Sequence, residues 1–328
     1  MDGSVITPDV WVAAAAGLPT LAHSYSRMIP TMNLSRHSET VTLRMLACVA
    51  VWNNHGDALR IVLQWASWRG LMQPTVDGVH SSWIGSFLAG PLLSCAARQN
   101  SLHAAAALLH VKANVNITTD GYCGRKPLHW AAQRGHVAAA ALLIHANAEV
   151  DIRSRTYAKS LLETPLMIAA GHGQVSMVCM LLEAGANVDL RCKNDDSALV
   201  YAVVSLCSAQ DPRQQLLLQE VVVRLLEARA DVGLADKSCR TLMWHAAASG
   251  RVDTLQLLVQ ARAPVNTRAG NLVGGDTPLM LAASRGHVRT VQYLLQAKAE
   301  LTEPLTFSCQ NRAGRRILQL LTAAKATV

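Results

Sequence analysis

An all-α solenoid of stacked helix pairs is the fold that this sequence predicts, and three observations predict it. A line of residues recurs six times at near-constant spacing, the apolar mass is mostly Ala and Leu, and each recurrence carries the signals of two short helices. Of the 328 residues 51% are hydrophobic but only 4% aromatic, with two Phe. That supplies a large core and argues against disorder. Ala and Leu are strong helix formers, so the core is expected between helices packed closely through small side chains.

The line runs from a Thr-Pro-Leu-like start through an Ala pair, a short turn and a Leu pair to Ala-x-Val-Asp/Asn. It reads KPLHWAAQRGH at 126–136 with Leu142-Leu143 and Val150-Asp151, and TPLMIAAGHG at 164–173 with Leu181-Leu182 and Val188-Asp189. A third clear copy is TPLMLAASRGH at 277–287 with Leu294-Leu295. Weaker copies carry Ala96-Ala97 with Leu108-Leu109, Ala202 with Leu225-Leu226, and Ala246-Ala247 with Leu257-Leu258. Between the first members of the Ala pairs the steps are 35, 38, 33, 44 and 36 residues.

Each position has a physical reason. A Thr hydroxyl caps the first helix, and Pro at its first turn lacks an N–H that would have no partner there anyway. The Ala pair removes bulk where two helices approach. Gly135, Gly173, Gly250 and Gly286 sit at the sharp turn between helices. The Leu pair supplies the buried face of the second helix, which only a neighbouring copy can cover.

These motifs, over about residues 91–301, resemble the ankyrin-repeat family, with its short β-turn or hairpin fingers between helix pairs. The family places Gly at the end of the second helix. This chain has Gly185 once and Lys112, Asn147, Arg229, Arg262 and Lys298 elsewhere. Positive φ there costs a non-Gly residue about 1 kcal/mol. Four of the five are cations, which the helix dipole favours by roughly 0.3–1 kcal/mol.

The organisation follows. Residues 1–40 show no repeat and are expected to be poorly ordered. Residues 41–90 hold a degenerate copy around His55–Leu63, read as an N-terminal cap packed with Trp52, Trp65, Trp68 and Trp83. Six repeats fill 91–301, and residues 302–328 close the array with a helix through Ile317–Leu321. The connectors after Asp151 and Asn266 are enlarged fingers. The 44-residue step marks an insertion between the helices of the fourth repeat, near 204–214, expected as a loop.

Several function classes are excluded. There is no phosphate loop, HExxH or Gly-x-Ser-x-Gly, so no enzyme, cofactor or metal site is read. The eight cysteines form no CxxC pair, and scattered single thiols favour a reducing compartment, the cytoplasm or the nucleus. No stretch is long and apolar enough to span a bilayer. Trp11–Leu18 is too short for a signal peptide, and Asp2 and Asp9 precede it where positive charge belongs. Cys239 and His245 lie close in sequence but belong to a repeat, and His129, His136 and His287 fall at motif positions where the resemblance implies structural hydrogen bonds.

What remains is a monomeric protein-binding module, with a substrate-recruiting adaptor of a ubiquitin ligase, or the regulatory arm of a larger enzyme or channel, as alternatives. The net charge is +8, yet residues 1–90 are balanced, and the helix-end cations explain much of the excess. Arg153, Arg191 and Arg268 recur three residues after each finger Val, with Tyr157 beside the first. They are candidate contacts for an acidic protein surface, weighed against a solvated basic edge. Nucleic acid is disfavoured, because it needs a denser basic field with aromatic stacking groups. Trp130 and Ile168, one residue before the Ala pairs, are candidates for the concave groove, with packing the other role for Trp130.

Overall fold

The computed structural model describes residues 43, 46–68, 70, 92–118, 124–154, 162–269, 275–301 and 312–325, apart from the side chains of Trp65 and Trp68. The chain divides into two compact units, Met1–Leu161 and Leu162–Val328. The first unit holds helical residues 46–52, then α1 (Gly56–Trp68), α2 (Leu92–Gln99), α3 (Leu102–His110), α4 (Pro127–Arg134) and α5 (Val137–His145). The second holds α6 (Pro165–Gly171), α7 (Val175–Glu183), α8 (Ala198–Ser208), α9 (Pro212–Glu227), α10 (Leu242–Ser249), α11 (Val252–Gln260), α12 (Pro278–Ser284), α13 (Val288–Gln296) and α14 (Arg312–Lys325).

Within each unit like packs on like. First helices lie side by side as α2 on α4, and as α6, α8, α10 and α12 in series. Second helices stack behind them as α1, α3 and α5, and as α7 on α9 and α11 on α13, with α14 closing on α13. The Ala positions are the contact: Ala96, Ala131, Ala169, Ala170, Ala202, Ala246, Ala247 and Ala282 have no exposed surface. Of each Leu pair only one member reaches the core, namely Leu108, Leu143, Leu181, Leu225, Leu258 and Leu294, while its partner is half-buried. In the second copy Leu143 is the core member, so the buried face begins one residue later than Leu142 suggests.

Local signals place the helix ends. Thr164, Ser197, Thr241 and Thr277 accept, through their hydroxyl oxygens, the backbone N–H three residues on, at 3.3–3.4 Å. At Lys126, where no hydroxyl is present, His129 Nδ1 instead accepts the Lys126 N–H at 3.2 Å. In three helix pairs the turn residue then braces the pair to the one before. His136 Nε2 meets Arg98 O at 3.2 Å, His287 Nε2 meets Ala248 O at 3.1 Å, and Arg251 makes the same reach to Ala209 O at 2.7 Å. A carbonyl only accepts, so both histidines carry their proton on Nε2. Gly250 is required twice over: its φ is +74°, and a Cβ there would lie 2.7 Å from His287 Nδ1.

The helix-end residues take the left-handed conformation, with φ of 59° at Lys112, 63° at Asn147, 61° at Arg229 and Arg262, and 60° at Lys298. The insertion of the fourth repeat is not a loop. It lengthens both helices, to 11 residues in α8 and 16 in α9, leaving only 209–211 between them. Asp211 caps α9 by accepting from Arg213 N at 3.1 Å, and Pro212 opens the helix, so the added residues continue the helices at little cost. The extension exposes Val204, Leu216 and Leu217.

The degenerate N-terminal copy is a helix pair, residues 46–52 and α1, but Trp52 is 46% exposed rather than packed into a cap. Residues 1–40, the enlarged part of both fingers at 155–161 and 270–274, and Trp83 lie outside the described residues. No helix among the described residues is long and apolar enough to cross a membrane.

Two stability predictions follow from these positions. Thr254 and Thr290 are fully buried, and among the described residues their hydroxyls find no hydrogen-bond partner. Thr290→Val removes an unsatisfied polar group at constant shape and should raise stability by about 1 kcal/mol in urea unfolding; a loss would show that the hydroxyl is satisfied. Arg262→Gly relieves the left-handed strain but forfeits the charge at the helix end. Strain is the larger of the two, so a net gain of about 0.5 kcal/mol is expected in the same measurement.

Candidate functional site

The groove-side positions predicted from sequence have opposite fates. Trp130, on α4, is half-buried, and two guanidinium carbons lie over its ring: Arg98 Cζ from α2 at 5.1 Å from the ring centroid, and Arg125 Cζ from the approach to α4 at 5.5 Å. Both distances are within cation–π range. Arg125 is held by an Nη1–H to Gln133 Oε1 at 2.8 Å. Ile168, at the same repeat position on α6, is 2% exposed and belongs to the core. It offers no surface to a partner, because α8 covers α6 there. The same column continues as Tyr201, His245 and Leu281, so the position before the Ala pair is contact or core according to its neighbours.

The finger arginines also divide. Arg153 lies in the first unit and is half-buried; its backbone carbonyl accepts Lys126 Nζ–H at 2.8 Å. In the second unit Arg191 donates an Nη2–H to Ala235 O at 2.7 Å, which ties one finger to the next, whereas Arg268 is exposed. Asp231 N–H to Asp189 Oδ1 at 2.8 Å and Lys237 N–H to Asn194 O at 3.0 Å reinforce that tie. Tyr157, and Arg155 and Lys159 beside it, lie outside the described residues.

Sequence reading missed a polar cluster at the base of these two fingers. Asp236 is the hub, its side chain 4% exposed. Its Oδ1 accepts the Ser238 and Arg240 N–H groups at 2.8 and 2.9 Å, and its Oδ2 takes Arg240 Nε–H at 2.7 Å. Arg240 Cζ in turn lies 5.3 Å from the Trp244 ring centroid. In the preceding finger Cys192 occupies the Asp236 position. Its sulfur accepts Asn194 N–H at 3.3 Å, and its thiol points to Asp196 Oδ2 at 3.8 Å. Tyr201 donates its hydroxyl to Glu163 Oε1 at 3.0 Å. The signal was present in the spacing: Asp236 and Cys192 stand five residues before the capping Thr241 and Ser197.

Burial shapes the electrostatics. It pushes the Asp196 carboxyl up, with the Asp236 charge adding to the effect, and it pushes the Tyr201 phenol up beside Glu163. His245 goes the other way, below the ordinary 6.5, by burial and then by the Arg240 charge, against the pull of Asp236. Its Nε2 stands 3.7 Å from Asp236 Oδ2, too far for a hydrogen bond. The ring packs edge-on to Trp244 at 5.2 Å between centroids. Cys239 sits at a finger turn with φ of 54°, and Cys207 Sγ–H, raised in pKa by burial, points to His245 O at 3.6 Å. The cluster is a structural clamp in which burial favours the neutral forms of Asp196, Tyr201 and His245. Among the described residues no group of three His, Cys, Asp or Glu side chains is placed to hold a metal ion.

A depressed native pKa means that the unfolded state takes up the proton first. The stability that neutral His245 contributes is therefore present above pH 6.5 and lost as pH falls through the native value. Leu281 holds the same column in the last repeat, so His245→Leu should flatten the fall in stability between about pH 7 and pH 5, read as urea midpoints. Asp196, which favours low pH, is common to both proteins and cancels in the comparison. Equal slopes would show that His245 does not titrate on folding.

No curated protein sequence matches the chain. The crystal structure of the human ASB11 ankyrin repeat domain is similar, with a TM-score of 0.56 and 25% identity, covering 70% of this chain and 96% of that one. The family model of ankyrin repeats matches three times, over residues 47–156, 93–192 and 214–304. These matches begin in the helix pair that precedes α2 and reach the end of α13, so the chain belongs to the ankyrin-repeat family.

Proposed function

We propose that this chain is a non-enzymatic module that holds a partner protein on the face made by its first helices and fingers. The observation that carries the reading is a constant frame with a variable face. The Ala and Leu positions are buried alike in every repeat, while Trp130, Arg98, Arg125, Trp244 and Arg268 stay accessible and differ from repeat to repeat. Such a surface binds without large rearrangement, and its half-exposed Trp and Arg side chains are the residue types that dominate binding energy. The polar cluster around Asp236 supports the fingers rather than supplying chemistry. The partner is a protein, and Arg153, Tyr157 and Arg268, with Trp130, are the contacts we assign to it.

Affinity capture from lysate with the full chain tests this, comparing wild type with an Arg153→Ala/Tyr157→Ala/Arg268→Ala variant and with Trp130→Ala. Arg191 is left intact, because its guanidinium braces Ala235. At least one variant should lower the retention of a specific protein by about tenfold at unchanged melting temperature. Identical retention by both variants would remove this surface from the interaction.

A further inference from the structure

The added turns of α9 have no use in the repeat frame. Helix α9 has 16 residues against nine in α7 and α11, so seven are extra (16 − 9). Aligned on the buried Leu181, Leu225 and Leu258, those seven are 212–218, at the start of the helix. They carry Leu216 and Leu217, which at 67% and 50% are the two most exposed large apolar side chains among the described residues. A lone surface leucine is ordinary, but an adjacent pair set between opposite charges is not. Arg213, Leu216, Leu217 and Glu220 stand at i, i+3, i+4 and i+7, so they share one face of α9 over about 10 Å. Arg213 is exposed in the first turn, where the helix dipole disfavours a cation, and its guanidinium has no ion-pair partner among the described residues. Glu220 Oε1 meets Arg224 Nη2 at 2.8 Å, and Arg224 Nη1 meets Glu227 Oε2 at 3.1 Å. Arg224 is thus balanced within the helix, and Arg213 is the charge left over.

The face reads cation, two leucines, anion. Turned end for end it is its own complement, which is what a two-fold axis demands of a surface that meets its copy. We propose that α9 pairs antiparallel with the α9 of a second copy of this chain, about an axis between Leu216 and Leu217. The four leucines then close on one another, and each Arg213 stands opposite the partner subunit's Glu220. A carboxylate accepts more than one donor, so Glu220 receives that guanidinium without releasing Arg224. A helix from a different protein would need leucines and charges but no inversion about a centre, so the pattern specifies a second copy. The patch is small, and the dimer is weak and reversible, in place of the monomer expected from the sequence. None of these four residues belongs to the contacts assigned to a partner protein, so self-pairing and partner capture succeed or fail separately.

Sedimentation equilibrium of the full chain between about 1 and 500 µM tests this, a range suited to a small interface. The wild-type mass should climb from that of one chain toward that of two. Leu216→Gln with Leu217→Gln, Arg213→Glu, and Glu220→Arg should each weaken association about tenfold or more, because every change enters twice across the axis. The decisive arm mixes Arg213→Glu with Glu220→Arg. Both charge contacts of the mixed pair are again opposite in sign, so the mass of two chains should return at concentrations where each variant alone stays single. Should Glu220→Arg melt early through loss of its Arg224 contact, Glu220→Lys takes its place in the mixture. Rescue by mixing has no explanation within one chain. A wild type that stays single at every concentration overturns the proposal, as does a dimer that the charge variants form equally well or a mixture that does not recover. If another protein is captured through Leu216 and Leu217 while the chain stays single, the stripe belongs to that protein and self-pairing falls.

Discussion

Every repeat depends on two first helices approaching closely enough that nothing larger than Ala fits between them. A helix of seven to nine residues is too short to persist alone in water, so each helix exists because the next one covers it. The fully buried Ala positions of α6, α8, α10 and α12 are therefore less a source of hydrophobic energy than a spacing rule. Buried leucines on both helices of a pair, such as Leu128 with Leu143 and Leu166 with Leu181, supply the apolar mass. Stability in such an array is nearly a sum over neighbours. That is why the turn-to-carbonyl brace recurs, as His136 in the first unit and as Arg251 and His287 in the second, with imidazole and guanidinium doing the same job. The brace needs only a donor of the right reach, so its chemistry drifts while its geometry stays.

A second constraint acts at the far end of each pair. The chain must leave the second helix with positive φ, and only Gly185 does so without strain. The cations at the other exits offset part of that strain by lying at a helix C-terminus, and they account for much of the positive charge that would otherwise suggest nucleic acid. Local backbone need and overall charge are linked here, so net charge is a poor guide to the partner until those residues are discounted.

How much of this was legible in the sequence follows from what kind of fact each part is. The period, the caps and the Ala contacts are local and repeated, so they were read correctly from residues alone. The insertion was not, because its length was visible but its direction was not. Asp211-Pro212 reads equally as a turn and as a helix start, and in the fold Asp211 caps the helix that Pro212 opens. The site was less legible still. Trp130 and Ile168 occupy one column, yet one is accessible and one is buried, a difference that lies in what the neighbouring helix presents. Arg191 kept its register but gave its guanidinium to Ala235 O, which no pattern within one repeat foretells. Side chains that act across repeats are the part that sequence periodicity hides.

The Asp236 cluster shows what such cross-repeat chemistry does. A buried carboxylate is costly unless its lone pairs are filled, and Asp236 fills them with two backbone N–H groups and one guanidinium. Once Arg240 is committed to that carboxylate, its stack on Trp244 becomes part of the scaffold. In the preceding finger a thiol stands at the Asp236 position, and Asp196 beside it is pushed toward its neutral form. One position thus carries either a charge that must be matched, as Arg240 matches Asp236, or a thiol, with Asp196 where Arg240 stands. The frame is indifferent to that choice, since Ala and Leu already hold it together. The Ala and Leu contacts recur whichever group stands there, so side chains at such positions can vary while the helices keep their packing.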